Sequence, residues 1–154
     1  MGRKFSFRAC GLETEFGRRE IDAEISLASE AFTGGDFEID AHLNHGKLGL
    51  KFTDSPVDSV LRCLAETTVG DVQVELDSAF EGTYSLENRL GPKLVTQHDV
   101  EDPSGRDRRR VISVDKSLGR LQGEVKWVED DGSSSDNEGT VVLKSLLSPV
   151  KIIV

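Results

Sequence analysis

One pattern recurs along the chain: a segment alternating apolar and polar residues, a turn residue that is usually glycine, then a second alternating segment. The turn positions are Gly17, Gly46, Gly70, Gly91 and Gly119, with Ser148 in the same place in a sixth copy, at spacings of 29, 24, 21, 28 and 29 residues. Asn44-His45-Gly46-Lys47-Leu48-Gly49-Leu50 lies over Thr68-Val69-Gly70-Asp71-Val72-Gln73-Val74, with a weaker echo in Leu146-Leu147-Ser148-Pro149-Val150-Lys151-Ile152. An apolar period of two marks a strand with one buried face. A unit that cannot bury that face alone has to stack on its neighbours.

Aligning the copies on the turn residue produces columns. Seven positions before it stand Cys10, Ile39, Cys63, Tyr84, Ile112 and Val141; five before it stand Leu12, Ala41, Ala65, Leu86, Val114 and Leu143. Four after it come Ile21, Leu50, Val74, Val95, Gly123 and Ile152, and six after it Ala23, Phe52, Leu76, Gln97, Val125 and Val154. These mostly apolar columns predict an all-β single domain over residues 1–154, a short β-solenoid of about six stacked strand-turn-strand rungs. Six rungs would make a stub on the order of 30 Å long. An antiparallel β-sandwich shares the alternation and the regular turns, and is the alternative architecture. No segment has a period of 3.6; Val57 to Leu64, behind Pro56, holds at most one helical turn. Phe32 and Phe80 read as lids over the stack, and residues 99–110 and 129–139 as polar exposed loops.

Thr68-Val69-Gly70-Asp71-Val72-Gln73-Val74-Glu75-Leu76, followed by Phe80-Glu81-Gly82 and an alternating strand, resembles the adhesin-like β-solenoid families of unknown function found in bacteria, and especially their fungal relatives. The resemblance runs from about Phe37 to Val154 and rests on glycines and alternation. It implies a stacked-strand fold and an adhesin-like role, with no catalytic residues to carry over. Gly91-Pro92 and Ser148-Pro149 depart from the usual glycine-polar step of those families.

Charge narrows the function classes. Nineteen basic against 28 acidic residues give a net charge of -9, a field that repels phosphate backbones and argues against nucleic acid as a partner. No run of 18 apolar residues predicts a membrane span, and Met1 to Gly11 lacks the apolar core of a signal peptide, so an intracellular location is expected. The chain holds no G-x-S-x-G, phosphate loop, H-E-x-x-H or C-x-x-C motif. The identifiable specificity lies in building strands, which favours a non-catalytic scaffold or interaction domain. The alternatives are a carbohydrate-active enzyme using outward acid pairs, or a small-molecule binder or isomerase with a β-lined groove or cavity.

Candidate sites are few. Four positions before the turn stand Glu13, His42, Glu66, Glu87, Asp115 and Lys144, a mostly acidic outward column. Stacked in sequence order, Glu66 and Glu87 would face one another one strand spacing apart and repel. A bound cation such as calcium would relieve that, making Glu66, Glu87 and His42 the metal-site candidates against a plain solvated acidic face; no other cofactor is expected. His45, in a turn column otherwise filled by Phe16, Val69, Leu90, Leu118 and Leu147, reads as a packed turn residue. Arg106, Arg108, Arg109 and Arg110, beside Glu101, Asp102 and Asp107, read as a salt-bridged loop or as a site for a carboxylate or phosphate. The final Val150-Lys151-Ile152-Ile153-Val154 reads as an uncapped edge strand. Leu146, Ile152, Ile153 and Val154 are therefore the expected interface for a protein partner or for self, as a two-fold homodimer through the C-terminal rung. A cover from Met1 to Gly11 or from Asp99 to Arg110 is the competing reading. Cys10 and Cys63 share a column two rungs apart, roughly 9 to 10 Å, which predicts free thiols.

Overall fold

The computed structural model describes residues 3–8, 19–28, 35–134 and 138–154. Among these there are twelve strands and no helix: β1 (Arg3–Arg8), β2 (Arg19–Ser26), β3 (Gly35–Thr53), β4 (Ser59–Val69), β5 (Val72–Glu75), β6 (Gly82–Glu87), β7 (Lys93–Thr96), β8 (Arg109–Ile112), β9 (Asp115–Ser117), β10 (Arg120–Val128), β11 (Gly139–Ser145) and β12 (Val150–Ile153). Val57 and Asp58 form only a turn before β4. Burial follows the alternation: in β3, Phe37, Ile39, Ala41 and Leu43 are buried while Glu38, Asp40 and His42 are half-exposed. That asymmetry lets one face of each strand pack and leaves the other wet.

The strands form one open, curled sheet with two halves joined through the long β3. The first half runs β1, the start of β3, β4, β11, β6, β10. The second runs β2, the end of β3, β5, β12, β7. Every ladder in both is parallel except those made by β10, which is antiparallel to β6, β8 and β9. The inner faces of both halves share one core, in which Ile39, Leu48, Val74, Leu86, Val125, Val141, Leu143, Val150 and Ile152 have no exposed surface. Each such side chain contributes about 1.5–3 kcal/mol of burial free energy.

The register sets sequence columns side by side. Ile39 faces Cys63, Cys63 faces Val141, and Val141 faces Tyr84; Leu50, Val74, Ile152 and Val95 line up likewise in the second half. Three departures correct the sequence reading. In the first copy Phe5, not the expected Cys10, is the partner of Ile39, and Ala23, not Ile21, is the partner of Leu50. Cys10 and Phe32 lie outside the described residues.

The fifth copy is an antiparallel hairpin. Leu118 and Gly119, with Gly119 at φ 76°, close a two-residue turn between the paired Ser117 and Arg120, a geometry that needs positive φ and returns the chain on itself. Ile112 and Val125, placed in separate columns by the sequence, consequently face each other.

The third departure is strand order. β11 and β12, which carry the sixth occurrence of the sequence pattern, do not lie at an edge: β11 pairs between β4 and β6, and β12 between β5 and β7. The open edge expected at Val150–Val154 is thus occupied on both sides. The corners stack closely enough that only glycine fits: Gly70 has φ 143°, and a Cβ there would fall on the carbonyl of Gly46.

Candidate interaction face

Inserting β11 rearranges the charged column. Read across the sheet, the outward row runs His42, Glu66, Lys144 and Glu87, each four before its corner, and then Arg120, which follows the Leu118-Gly119 turn; each is the register partner of the next. Lys144 therefore stands between the two carboxylates that sequence order would have made neighbours, and holds them about two strand spacings, roughly 10 Å, apart. His42 Nδ1 lies 3.4 Å from Glu66 Oε2, Lys144 Nζ 3.9 Å from Glu87 Oε2, and Arg120 Nη2 donates to Glu87 Oε1 at 2.6 Å. The like-charge repulsion that motivated a calcium site at Glu66, Glu87 and His42 is absent from this arrangement. Among the described residues no group of three or more His, Cys, Asp or Glu side chains converges as metal ligands would.

One position further inward runs a buried polar row that fixes the corner. Thr67 Oγ1 and Ser145 Oγ each donate to the carbonyl of Gly70 at 2.8 Å. Asn88 Nδ2 donates to the carbonyls of Ser148 at 3.0 Å and Pro92 at 3.3 Å, while Lys93 Nζ donates to Asn88 Oδ1 at 3.0 Å. These side chains donate to the turn carbonyls of Gly70, Ser148 and Pro92, the last of which also accepts from the Val150 amide, as buried polar groups require. Sequence reasoning missed this row. Its signal was the position three before the turn, which reads Thr14, Leu43, Thr67, Asn88, Lys116 and Ser145, a mostly polar column set among apolar ones.

Held by that row, the corner exposes apolar side chains. Leu118 is fully exposed, Leu90 is 80% exposed, and Leu147, Leu146 and Val69 are each about two-fifths exposed or more. Two of them, Leu118 and Leu146, border with the charged row an open groove of about 740 Å³, lined by Glu66, Lys144, Glu87 and Arg120 among others. Single exposed leucines are ordinary; several along one corner mark a surface that binds something. Of the interface residues expected from sequence, Leu146 lies on this face. Ile152, Ile153 and Val154 are buried at 0%, 8% and 2% exposure within the sheet, and His45, expected to pack, is exposed beside its register partner Val69.

The basic loop proves structural. Asp102 accepts from Arg108 Nη2 at 2.9 Å, from Arg108 Nε, from the Arg106 and Arg108 backbone amides, and from Ser104. Both side chains of the Asp102–Arg108 pair are 5% exposed. The hydrogen bond from Arg108 holds the Asp102 carboxyl well below the usual range, and Asp102 in turn raises Arg108. Glu81, also 5% exposed, lies 3.9 Å from Arg108 and accepts from the Trp127 amide at 3.1 Å. The guanidiniums of Arg108 and Arg110 stack over the Trp127 ring at 5.6 and 5.8 Å, and burial lowers Arg110. These contacts anchor residues 99–108 against β8 and β10. Arg106 reaches outward to Glu129 at 3.5 Å.

A second groove of about 380 Å³ lies among β6, β9, β10 and β11, bordered by Thr83, Ser85, Asp115 and Gln122. Beside it Tyr84 donates to the Ser113 carbonyl at 2.6 Å, over the bare face of Gly123. Cys63 is buried and free, and burial, with Asp40 nearby, pushes its thiol up to about 12.

No protein-family model matches the chain, and no curated protein matches it. Among solved structures it is similar to a crystal structure described as a "putative cell adhesion protein" from Clostridium sporogenes, at 15% identity and a TM-score of 0.44. The similarity covers 87% of this chain and 54% of that one, so the chain spans about half the length of this structural neighbour.

Proposed function

We propose that this is a non-catalytic interaction domain, adhesin-like in kind, built as a short β-solenoid and binding a protein partner through the corner face. The parallel ladders, with equivalent columns in register, support the solenoid reading. The observation that carries the function is the set of exposed corner leucines, Leu118, Leu90, Leu147 and Leu146, of which Leu118 and Leu146 border the same groove as the ordered row of charge. An apolar centre with a polar border is the anatomy of a protein-binding surface.

A photo-crosslinking residue at Leu118 tests it, with the same residue at the exposed Asp130 as control, irradiated both in the concentrated protein and in extract. A discrete protein adduct at position 118 and none at 130 is the expected result. Equal labelling at both positions, or none at 118, overturns the reading.

A further inference from the structure

The charged row has a symmetry that identifies a partner. Glu66, Lys144, Glu87 and Arg120 alternate in sign at successive strand spacings. A two-fold axis parallel to the strands and lying in the face reverses the order of the row in the facing copy. Placed between β11 and β6, that axis sets Lys144 against the partner's Glu87 and Glu66 against the partner's Arg120, so all four positions meet opposite charge. An axis through β11 or through β6 would instead set Lys144 or Glu87 against itself. The same axis brings the corner rows together, Leu147 toward the partner's Leu90 and Val69 toward the partner's Leu118.

We propose that the corner face docks on the same face of a second copy of this chain, as a two-fold dimer with its axis between β11 and β6. This rests on the interaction-domain reading and adds the identity of the partner. A two-fold interface must be self-complementary, and an alternating row is the simplest charge pattern that is. The four residues sum to zero, in a chain whose net charge is -9, so two copies meet here with less repulsion than a uniformly acidic face would impose. The pairs each copy makes internally are surface ion pairs worth about 0–1 kcal/mol, weak enough to exchange partners when the leucines are buried.

Sedimentation velocity of the full chain tests the axis. Wild type is expected to dimerise as concentration rises. Glu66→Arg and Arg120→Glu, each placing like charges across the axis, should each weaken dimerisation at least tenfold. An equimolar mixture of the two should recover a heterodimer, because the arginine introduced at position 66 then meets the glutamate introduced at position 120, and the other cross-pair is the native Glu66 with Arg120. Recovery on mixing cannot come from a misfolded variant, and matched circular dichroism of the singles provides a second check. A wild type that stays monomeric to its solubility limit, singles that dimerise like wild type, or a mixture no better than the singles overturns the dimer. A monomeric wild type whose position 118 still crosslinks one other protein would sink the two-fold axis while leaving the interaction reading in place.

Discussion

Asp102→Ala removes the acceptor at the centre of the 99–108 loop. Six hydrogen-bonding groups converge on that carboxylate: the Ser104 amide and hydroxyl, the Arg106 and Arg108 amides, and Nε and Nη2 of Arg108. Without it, Arg108 remains a guanidinium at 5% side-chain exposure with Glu81 3.9 Å away. Stranding one member of a buried pair costs about 3–5 kcal/mol; because Glu81 remains, the lower figure, about 3 kcal/mol, applies here. For a chain of this length, that corresponds to a fall in Tm of about 6–12 °C by differential scanning calorimetry.

Asp102→Ala combined with Arg108→Leu removes both charges, and should cost less than the single variant, since no buried charge is left uncompensated. The pH dependence has a definite sign. Arg108 lowers the folded-state pKa of Asp102 below its unfolded value, so its contribution is whole at neutral pH and drains away as pH falls below about 4 toward the lowered value. Wild type should therefore lose more stability than Asp102→Ala between neutral and acid pH. An Asp102→Ala protein that melts with wild type, or a double variant less stable than the single, would refute this account of the loop.

Two further outcomes test the packing. At an unobstructed strand position, Gly→Ala stabilises by roughly 0.5–1 kcal/mol, but a Cβ at Gly123 would strike the Ser113 carbonyl and the Tyr84 hydroxyl; Gly123→Ala should instead destabilise by about 1–3 kcal/mol in urea melts, and a stabilised variant would show that Tyr84 does not lie over it. In a Cys10→Ser background, the buried Cys63 thiol, pushed up to about 12, should resist a thiol reagent at pH 8 until denaturant is added; prompt reaction in the native protein would place Cys63 outside the core.

What could be read from the sequence was what happens within a unit. Period-two alternation identifies the inward residues because each strand is its own local record: Ile39, Ala41, Cys63, Ala65, Val141 and Leu143 are buried, as their columns require. The order of units was not legible, because alternation is the same whichever neighbour a strand finds. The inner faces of β4, β6 and β11 are all mostly apolar with the same period, so the pattern alone does not single out β11 over β6 as the partner of β4. The hairpin at Leu118-Gly119 was hidden for a related reason, since a glycine at a corner of parallel strands and a glycine in a tight reversal leave the same letter. The candidate site inherited the error of order. Glu66 and Glu87 were correctly placed on one outward row, while Lys144 was placed at its far end and not between them. The Asp102–Arg108 pair was visible as mixed charge in a loop, but its burial under Trp127 depends on β10 lying against β8, a long-range pairing that local sequence does not encode.

The charge row supplies a physical reason for the observed strand order. Stacked as the sequence runs, the outward column would read His42, Glu66, Glu87, Asp115, Lys144, placing three carboxylates side by side, and like charges directly opposite on a sheet destabilise by up to about 1 kcal/mol per pair. In the observed order Lys144 separates Glu66 from Glu87, and the hairpin turns Asp115 away to pair with Gln122 while presenting Arg120 to Glu87. The inner columns are apolar in either order, whereas the charge contacts of the outer column change with it, so the wet face discriminates between the two orders. The residues that discriminate between the two orders, Lys144 and Arg120, are also the cations that make the row alternate. A single pattern of charge therefore both specifies where the last copy inserts and produces the self-complementary surface beside the leucines.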